Sequence, residues 1–226
     1  MLSSKKFNWV ALVGLLLSAN LFAAEIPVWE KIGNDDEIEV FKKEIPDSPV
    51  VAFKGQGVIK APIERVASIL TDTTRATEWV HNLKEGKLIR KISNTEYISY
   101  SHIGTPIVMK DRDFVIHYKA KTDPVRNAFL IEMSSDLDPQ APVTDYVRGE
   151  ILGSSYLLKP LNAKETYIIA EIHADPKGSV PKWIVNLFQK QWPHHTIEAL
   201  REQAEKDDIV ENPAIKKLVS NLKRGA

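Results

Sequence analysis

The chain has 226 residues, with 30 basic and 30 acidic side chains and no cysteine. The balanced charge and the lack of a basic run argue against a protein that binds nucleic acid through a positive surface. Without cysteine there are no disulfides, so a hydrophobic core alone must stabilise the fold. The length suffices for one domain with a sizeable core.

Residues 1–24 have the pattern of a secretory signal peptide. Two lysines come before an unbroken apolar run, Val10–Leu17, and two alanines come directly before the first acidic residue, Glu25. The apolar run is shorter than the roughly 20 residues that a membrane-spanning helix needs. We therefore expect a secreted or periplasmic protein, with an uncleaved anchor as the alternative.

The chain after the signal peptide begins with mixed elements. Glu25–Pro46 is interpreted as a short helix or turn followed by a strand, and Val50–Lys60 as a second strand. Two glycines in that second strand, Gly55 and Gly57, are interpreted as marking a bulge. The pair Ala61-Pro62 then predicts the start of a helix over Ile63–Thr71.

A series of strands follows this helix. Short alternating runs bounded by Gly, Pro, Asn and Asp predict six of them: Lys87–Ile92, Glu96–Ile103, Asp113–Ala120, Ala128–Ser134, Thr144–Ser155 and Glu165–His173. Helical segments on both sides of an antiparallel meander predict an α+β fold, with helices on one face of a curved sheet.

The second of these strands is apolar on parts of both faces. Alternation places Tyr97, Ser99, Ser101 and Ile103 on one face, and Ile98, Tyr100 and His102 on the other. This pattern predicts that one face meets a helix or a cavity while the other face is partly covered.

The longest predicted helix is Lys177–Lys206, with Pro181 near its start. Its apolar residues recur at intervals of three to five and predict a single wide stripe: Trp183, Ile184, Leu187, Phe188, Trp192, Ile197, Leu200 and Ala204. Pro193 predicts a kink or a new turn. The stripe suits either a helix that packs on a sheet or one that covers a lipid cavity.

Six segments in this order resemble the StAR-related lipid transfer (START) domain family over residues 54–201. They are Lys54-Gly55-Gln56-Gly57, Ala61-Pro62, Glu78-Trp79 before Asn82-Leu83-Lys84-Glu85, Arg112-Asp113-Phe114-Val115, Tyr146–Ile151, and Asp175–Gly178 before Pro181–Asn186. The resemblance implies a helix-grip fold over residues 25–206, in which a curved antiparallel sheet wraps around the long C-terminal helix. It also implies an internal hydrophobic tunnel that holds one lipid, and the family's lipid carriers have no catalytic centre.

The resemblance also implies which residues bind the ligand: Trp79, Tyr97, Ser99, Ser101, Tyr118, Trp183, Ile184, Leu187 and Phe188. Sterol carriers of the family have a buried acid–base pair at the positions of Ser101 and Tyr118. Phosphatidylcholine carriers have an aspartate at the position of Val80. The ligand is therefore expected to be a lipid, and the sequence leaves its head group open.

Four consecutive apolar residues lie in the loop after Ile103: Pro106, Ile107, Val108 and Met109. Loop tips are normally polar, so this pattern indicates contact with something apolar. The resemblance places the loop at the tunnel mouth, where it is expected to gate the tunnel and contact a membrane transiently; the alternative is a plug. The adjacent Arg112 and Asp113 suit a structural charge pair or contact with a lipid head group.

The sequence has no Gly-x-Ser-x-Gly motif and no histidine pair with metal-binding spacing. We therefore expect no catalytic residue, no metal site and no cofactor. The alternative is a cavity enzyme of the helix-grip superfamily, which would need a polar pair in the tunnel, such as His117 or Tyr118 with Glu132.

Residues 207–226 form a C-terminal extension. Asn212-Pro213 predicts the start of a short amphipathic helix with Ile215, Leu218, Val219 and Leu222 on one face. This helix is expected to pack on the domain, or else to contact anionic lipid or a partner protein. No heptad pattern is present, so a monomer is expected.

Overall fold

The computed structural model describes residues 28–105 and 109–225. The predicted signal peptide lies outside these residues. The helices are α1 (Ile63–Thr71), α2 (Lys182–Glu205) and α3 (Pro213–Val219), with a short 3-10 turn at Ala76–Glu78. The strands are β1 (Glu30–Asp35), β2 (Ile38–Lys43), β3 (Ala52–Ile59), β4 (Leu83–Lys91), β5 (Glu96–Ile103), β6 (Arg112–Asp123), β7 (Ala128–Ser135), β8 (Val147–Arg148), β9 (Glu150–Ile151), β10 (Ser154–Pro160), β11 (Thr166–Ile172) and β12 (Ala174–Asp175).

Nine strands form one antiparallel path in the order β1-β2-β3-β11-β10-β7-β6-β5-β4. The short β8 pairs in parallel with β6, and β9 pairs with β12 as a separate ribbon. Helix α2 lies against β2, β3 and β11 and also contacts α1. The predicted α+β helix-grip fold is confirmed, with a curved antiparallel sheet around a long C-terminal helix.

The N-terminal segment forms a hairpin, so the predicted short helix or turn before one strand is wrong. In the turn between β1 and β2, Asp36 and Glu37 have φ values of 48° and 58°, and Asp35 pairs with Ile38. A two-residue hairpin with positive φ at both positions normally uses Asn or Gly. The acidic pair gave no such signal.

The predicted strand Thr144–Ser155 is also wrong, because three short pieces occupy this region. β8 and β9 are separated by Gly149, and β10 starts only at Ser154. A Cβ at Gly149 would lie 2.3 Å from the Phe114 ring, so no side chain fits between this segment and β6. The chain here pairs with the start of β6 through β8 and then forms the separate ribbon of β9 and β12 before β10 begins.

Gly55 does not mark a bulge. It pairs regularly with Val40 on one side and with Ala170 on the other. A Cβ at Gly55 would lie 2.6 Å from the Cβ of Pro193, which is buried in α2. The glycine therefore permits the close approach of α2 to the sheet.

Helix α2 begins directly after Pro181, which is its N-cap residue and not a first-turn proline as predicted, and it continues through Pro193. Its second half is buried in the main hydrophobic core, where Ile197 and Leu200 are fully buried. The first half contributes far fewer buried residues. This difference matters for the site described below.

Helix α3 packs against α1, as the amphipathic pattern predicted. The Asn212 side chain accepts a hydrogen bond from the Ala214 N–H at 2.9 Å and so caps the helix. Ile215, Val219 and Leu222 are buried in the main core, and Leu218 packs against it. In the structure the apolar face of the extension is thus covered by the domain itself.

We predict that Gly55→Ala lowers the free energy of unfolding by about 1–3 kcal/mol, because its Cβ overlaps Pro193 and pushes α2 away from β3. Urea denaturation followed by circular dichroism measures this. Gly33→Ala is the control, since its Cβ would meet Val40 at an ordinary 3.9 Å. Equal stability of the two variants would contradict this account of Gly55.

Candidate functional site

A cavity of about 360 Å³ lies between the sheet and the first half of α2. Most of its lining is apolar, and the residues come from β5, β6, β7, β9, β10, β11 and α2. They include Ile103, Phe114, Ile116, Met133, Ile151, Tyr156, Ile172, Ile184, Val185, Phe188 and Trp192. The volume lies within the range of about 300–1,000 Å³ that is usual for small-molecule sites.

The alternation of β5 and β6 positions the floor of the cavity. Tyr97 lies opposite Tyr118 in the register, and Ser101 lies opposite Phe114. Successive side chains of a strand point to opposite faces. The inward faces of β5 and β6 therefore carry the residues that alternation predicted for β5, together with Tyr118.

Hydroxyl groups concentrate at one end of the cavity. We call this the hydroxyl cluster: Tyr97, Ser99, Ser101, Tyr118 and Tyr156. These residues line a smaller adjoining cavity of about 60 Å³, and three of them also line the main cavity. The rings of Tyr97 and Tyr118 stack with their centroids 4.9 Å apart.

The hydroxyl cluster carries no charge at neutral pH. Burial raises the pKa of Tyr118 to about 12, although a hydrogen bond from Ser99 acts in the opposite direction. Burial also raises the pKa of Tyr97 and of Tyr156. Each tyrosine can therefore donate and accept a hydrogen bond, but none can neutralise a charged group.

Trp79 lines the smaller cavity beside this cluster. Its indole ring packs against the main core, and its buried Nε1 has no hydrogen-bond partner among the described residues. A buried indole N–H normally finds an acceptor. Trp79 thus offers a free donor next to five hydroxyl groups.

Helix α2, which covers the cavity as a lid, carries four of the predicted ligand-binding residues. Ile184 and Phe188 line the cavity, whereas Trp183 and Leu187 do not. Their exposed fractions are 68% for Trp183 and 51% for Leu187. The predicted single buried stripe is therefore wrong in the first half of α2, where a cavity replaces the packed core and the outer residues reach solvent.

The cavity reaches the surface between α2 and the loops that flank β4 and β5. Four exposed residues in its lining mark this opening: His81, Asn82, Phe188 and Gln191. The rings of His81 and His195 lie 4.9 Å apart at this edge. Burial lowers the pKa of His195, and the neighbouring His81 and His194 lower it further.

The predicted gating loop borders the same cavity. Met109 contributes to the lining, next to Gly104 and Thr105. Pro106, Ile107 and Val108 lie outside the described residues. Their predicted role at the mouth stays a prediction.

Arg112 and Asp113 lie on opposite faces of β6, so they do not form a charge pair with each other. Arg112 faces inward and lines the cavity. Asp113 faces outward, where it accepts hydrogen bonds from Arg148 at 2.7 Å and from Thr144 at 2.7 Å. Burial raises the pKa of Asp113, but these donors outweigh it and the net shift is downward.

The segment before β8 covers the outer face of β5 and β6. Ala141 packs on a small core made by Ile98, Tyr100 and Val115, and the Tyr146 ring stacks on His102 at 4.1 Å. The partial cover predicted for this face is therefore observed. Asp113 anchors this cover and is not part of the cavity.

The structure does not assemble the polar pair that the enzyme alternative needs. His117 contacts Glu96 at 2.9 Å on the outer face, and Glu132 forms an ion pair with Lys121 at 2.7 Å, also outside the cavity. Only Tyr118 of that group faces inward. Within residues 28–105 and 109–225 there is no group of three potential metal ligands.

Sequence reasoning missed several lining residues. Phe114 and Ile116 could have been inferred, because they share the parity of Tyr118 along β6. Tyr156 could not have been inferred, because it lies in β10 and the predicted strand in this region ended at Ser155. Gln189 was also missed, whereas Trp192, another lining residue, belongs to the stripe predicted on α2.

The sequence was also compared with known families and structures. The model of the START domain family matches residues 16–201. The chain belongs to the START domain family. A human StAR-related lipid transfer protein 5 structure superposes with a TM-score of 0.72 at 18% identity, covering 78% of this chain and 86% of that one. A STAR-related lipid transfer protein fragment from Xanthomonas axonopodis gives a TM-score of 0.69 at 25% identity, covering 79% and 99%.

The sequence relatives differ in how much of their own length the match covers. An uncharacterized protein of Pseudomonas aeruginosa is 26% identical over 79% of this chain and 87% of its own length. Steroidogenic acute regulatory protein of Xenopus laevis is 29% identical over 68% of this chain, but the match spans 55% of that protein. START domain-containing protein 10 of Mus musculus is matched over 43% of its length.

Both superposed structures are named as lipid transfer proteins. Among the described helices, none combines the length and apolar character needed to cross a bilayer.

Proposed function

We propose that this START protein binds one lipid or similar hydrophobic ligand in the cavity between the sheet and α2. The observation that carries the proposal is the cavity of about 360 Å³ with apolar walls, enclosed by the lid residues Ile184, Val185 and Phe188. Family membership supports the same ligand class.

The energetics favour an apolar guest. Unfilled space under α2 forfeits packing contacts, at about 24 cal/mol per Å³ for an empty cavity in a core. A ligand restores those contacts and removes its own apolar surface from water, at about 25 cal/mol per Å². Binding therefore requires little specific chemistry along the apolar walls.

The hydroxyl cluster would bind an uncharged polar group of the ligand. Its hydroxyls and the Trp79 N–H are donors in a buried site, where each satisfied hydrogen bond is worth about 0.5–1.5 kcal/mol. This role covers the predicted residues Tyr97, Ser99, Ser101 and Tyr118. It does not extend to Trp183 and Leu187.

We further propose that the protein is a carrier and not an enzyme, exported by its N-terminal segment to the periplasm or the medium. The relatives named for lipid transfer support the first part. The outward direction of His117 and Glu132 also supports it, because the cavity then lacks the acid–base pair that the enzyme alternative requires. The signal-peptide pattern of residues 1–24 supports export.

We predict that Ile184→Trp weakens binding of a fluorescent fatty acid about tenfold or more, because the larger side chain occupies the cavity beneath the lid. Fluorescence titration measures this, with circular dichroism to check the fold. Ile92→Trp is the matched control, since Ile92 is 48% exposed and lies outside the cavity lining. Unchanged binding by Ile184→Trp would contradict the proposed site.

A membrane would be the natural source of such a ligand, and α2 presents a suitable surface. Trp183, Leu187 and Phe188 form an exposed apolar patch on the lid, which we call the docking patch. Two exposed lysines of the same helix, Lys182 and Lys190, lie beside it. Apolar side chains flanked by lysines suit the interface of an anionic bilayer, and Phe188 also lines the cavity.

We predict that the double variant Trp183→Asp/Leu187→Asp loses association with vesicles containing phosphatidylglycerol, because two charges replace the apolar surface that inserts. Vesicle flotation measures this. The matched control is Val125→Asp/Leu137→Asp, in which two residues that are each 96% exposed change elsewhere on the surface. If both double variants float equally well with the vesicles, the docking patch is not the contact.

A further inference from the structure

Arg112 is a buried cation in the wall of an apolar cavity. The side chain is 5% exposed and lines the cavity beside Met109, Pro176 and Val180. Burying a charge is costly unless it is paired. The guanidinium therefore needs a counter-charge.

The described residues supply only neutral acceptors. The Arg112 Nε donates to the carbonyl oxygen of Pro176 at 3.4 Å, one terminal nitrogen donates to that of Lys110, and the other donates to that of Lys177 at 3.5 Å. A guanidinium has five N–H donors. Each terminal nitrogen thus retains one N–H, and two such donors form the fork that carboxylates and phosphates accept.

The acidic residues next to Arg112, or next to the segment that supplies its carbonyl acceptors, are already paired. Asp111 contacts Lys84 and His102, and Asp113 contacts Arg148 on the other face of β6. Asp175 contacts Lys177. Within residues 28–105 and 109–225, no carboxylate forms an ion pair with Arg112.

Arg112 and the stacked tyrosines of the hydroxyl cluster, Tyr97 and Tyr118, occupy opposite ends of the cavity floor. Residues 112, 114, 116 and 118 share the inward face of β6, and Arg112 and Tyr118 are six residues apart. At about 3.3 Å per residue the two ends are separated by about 20 Å. Phe114 and Ile116 make the β6 side of the stretch between them apolar, and Ser101 lies opposite Phe114 on β5.

We propose that the ligand is a single-chain amphiphile with an acidic group, and that Arg112 binds its carboxylate or phosphate. The inference rests on the proposed function and names the ligand class of that site. The cavity of about 360 Å³ lies near the lower end of the usual range for small-molecule sites, which suits a ligand with one chain. The chain lies along Phe114 and Ile116 toward the hydroxyl cluster.

The test compares three probes with the same twelve-carbon chain: dodecanoate, dodecyl phosphate and 1-dodecanol. Calorimetry on the wild-type protein is expected to show that the two anionic probes bind about tenfold or more tightly than the alcohol. Comparison of the two anions shows whether a carboxylate or a phosphate is preferred. Arg112→Gln is expected to lower the affinity for both anions to that for dodecanol and to leave the affinity for dodecanol unchanged.

Lys119→Gln is the matched control, since it removes one positive charge from the outward face of the same strand, where Lys119 is exposed. Its probe affinities should equal those of the wild type. If Arg112→Gln does not fold, NMR of the Arg112 guanidinium in the wild type replaces it, with a shift expected on adding dodecanoate and none on adding dodecanol.

Three results would overturn the inference. Equal affinity of the wild type for dodecanol and the anions would show that the acidic group is not recognised. An equal loss of affinity for all three probes in Arg112→Gln would show that Arg112 only holds the loops that supply its carbonyl partners. Binding of none of the three would refute the proposed function itself.

Discussion

The contact between Pro193 and Gly55 determines where helix α2 lies, and the cavity depends on that position. No side chain fits at residue 55, because a Cβ there would overlap the proline. The helix therefore approaches the sheet closely near its middle. Beyond this point Ile197 and Leu200 fill the core completely. Before it, the same helix covers space that the sheet does not fill.

The two halves of α2 are therefore held to the domain to different degrees. The second half is fixed by buried apolar contacts, whereas the first half has several exposed apolar residues and covers a cavity. Segments with few buried contacts open most easily. The half of α2 that would have to move for a ligand to enter is thus the half with fewer buried contacts.

The polar groups around the cavity are separated by kind. The tyrosine hydroxyls lie at one end, and one buried cation lies near the other. The carboxylates of β6 and its neighbours point outward and bind the covering segment or surface lysines. This arrangement suits the proposed ligand, an apolar chain with an acidic end.

Much of the fold could be predicted from the sequence. The strand alternation of residues 97–103, the helix at Ile63–Thr71 and the capped helix after Asn212 each follow from local patterns, and the structure has all of them. The resemblance over residues 54–201 supplied the topology, which no local pattern contains.

The remaining errors have physical causes. The hairpin turn at Asp36 and Glu37 uses residues that rarely adopt positive φ. Gly55 was assigned to a bulge, although a glycine is needed there because of the contact with Pro193. That residue lies 138 positions further along the chain, so no local pattern shows the contact. The stripe on α2 was expected to face a sheet or a lipid cavity along its whole length, and hydrophobic periodicity alone does not show which of its residues reach solvent. Trp183 and Leu187 were therefore placed inside.

The central claim is that one ligand occupies the cavity beneath α2. Native mass spectrometry of the protein purified from its own host, followed by extraction of the bound molecule, tests it most directly. The account predicts a complex with one lipid-sized molecule per chain. A protein that is empty on purification and also takes up no fluorescent lipid would contradict it.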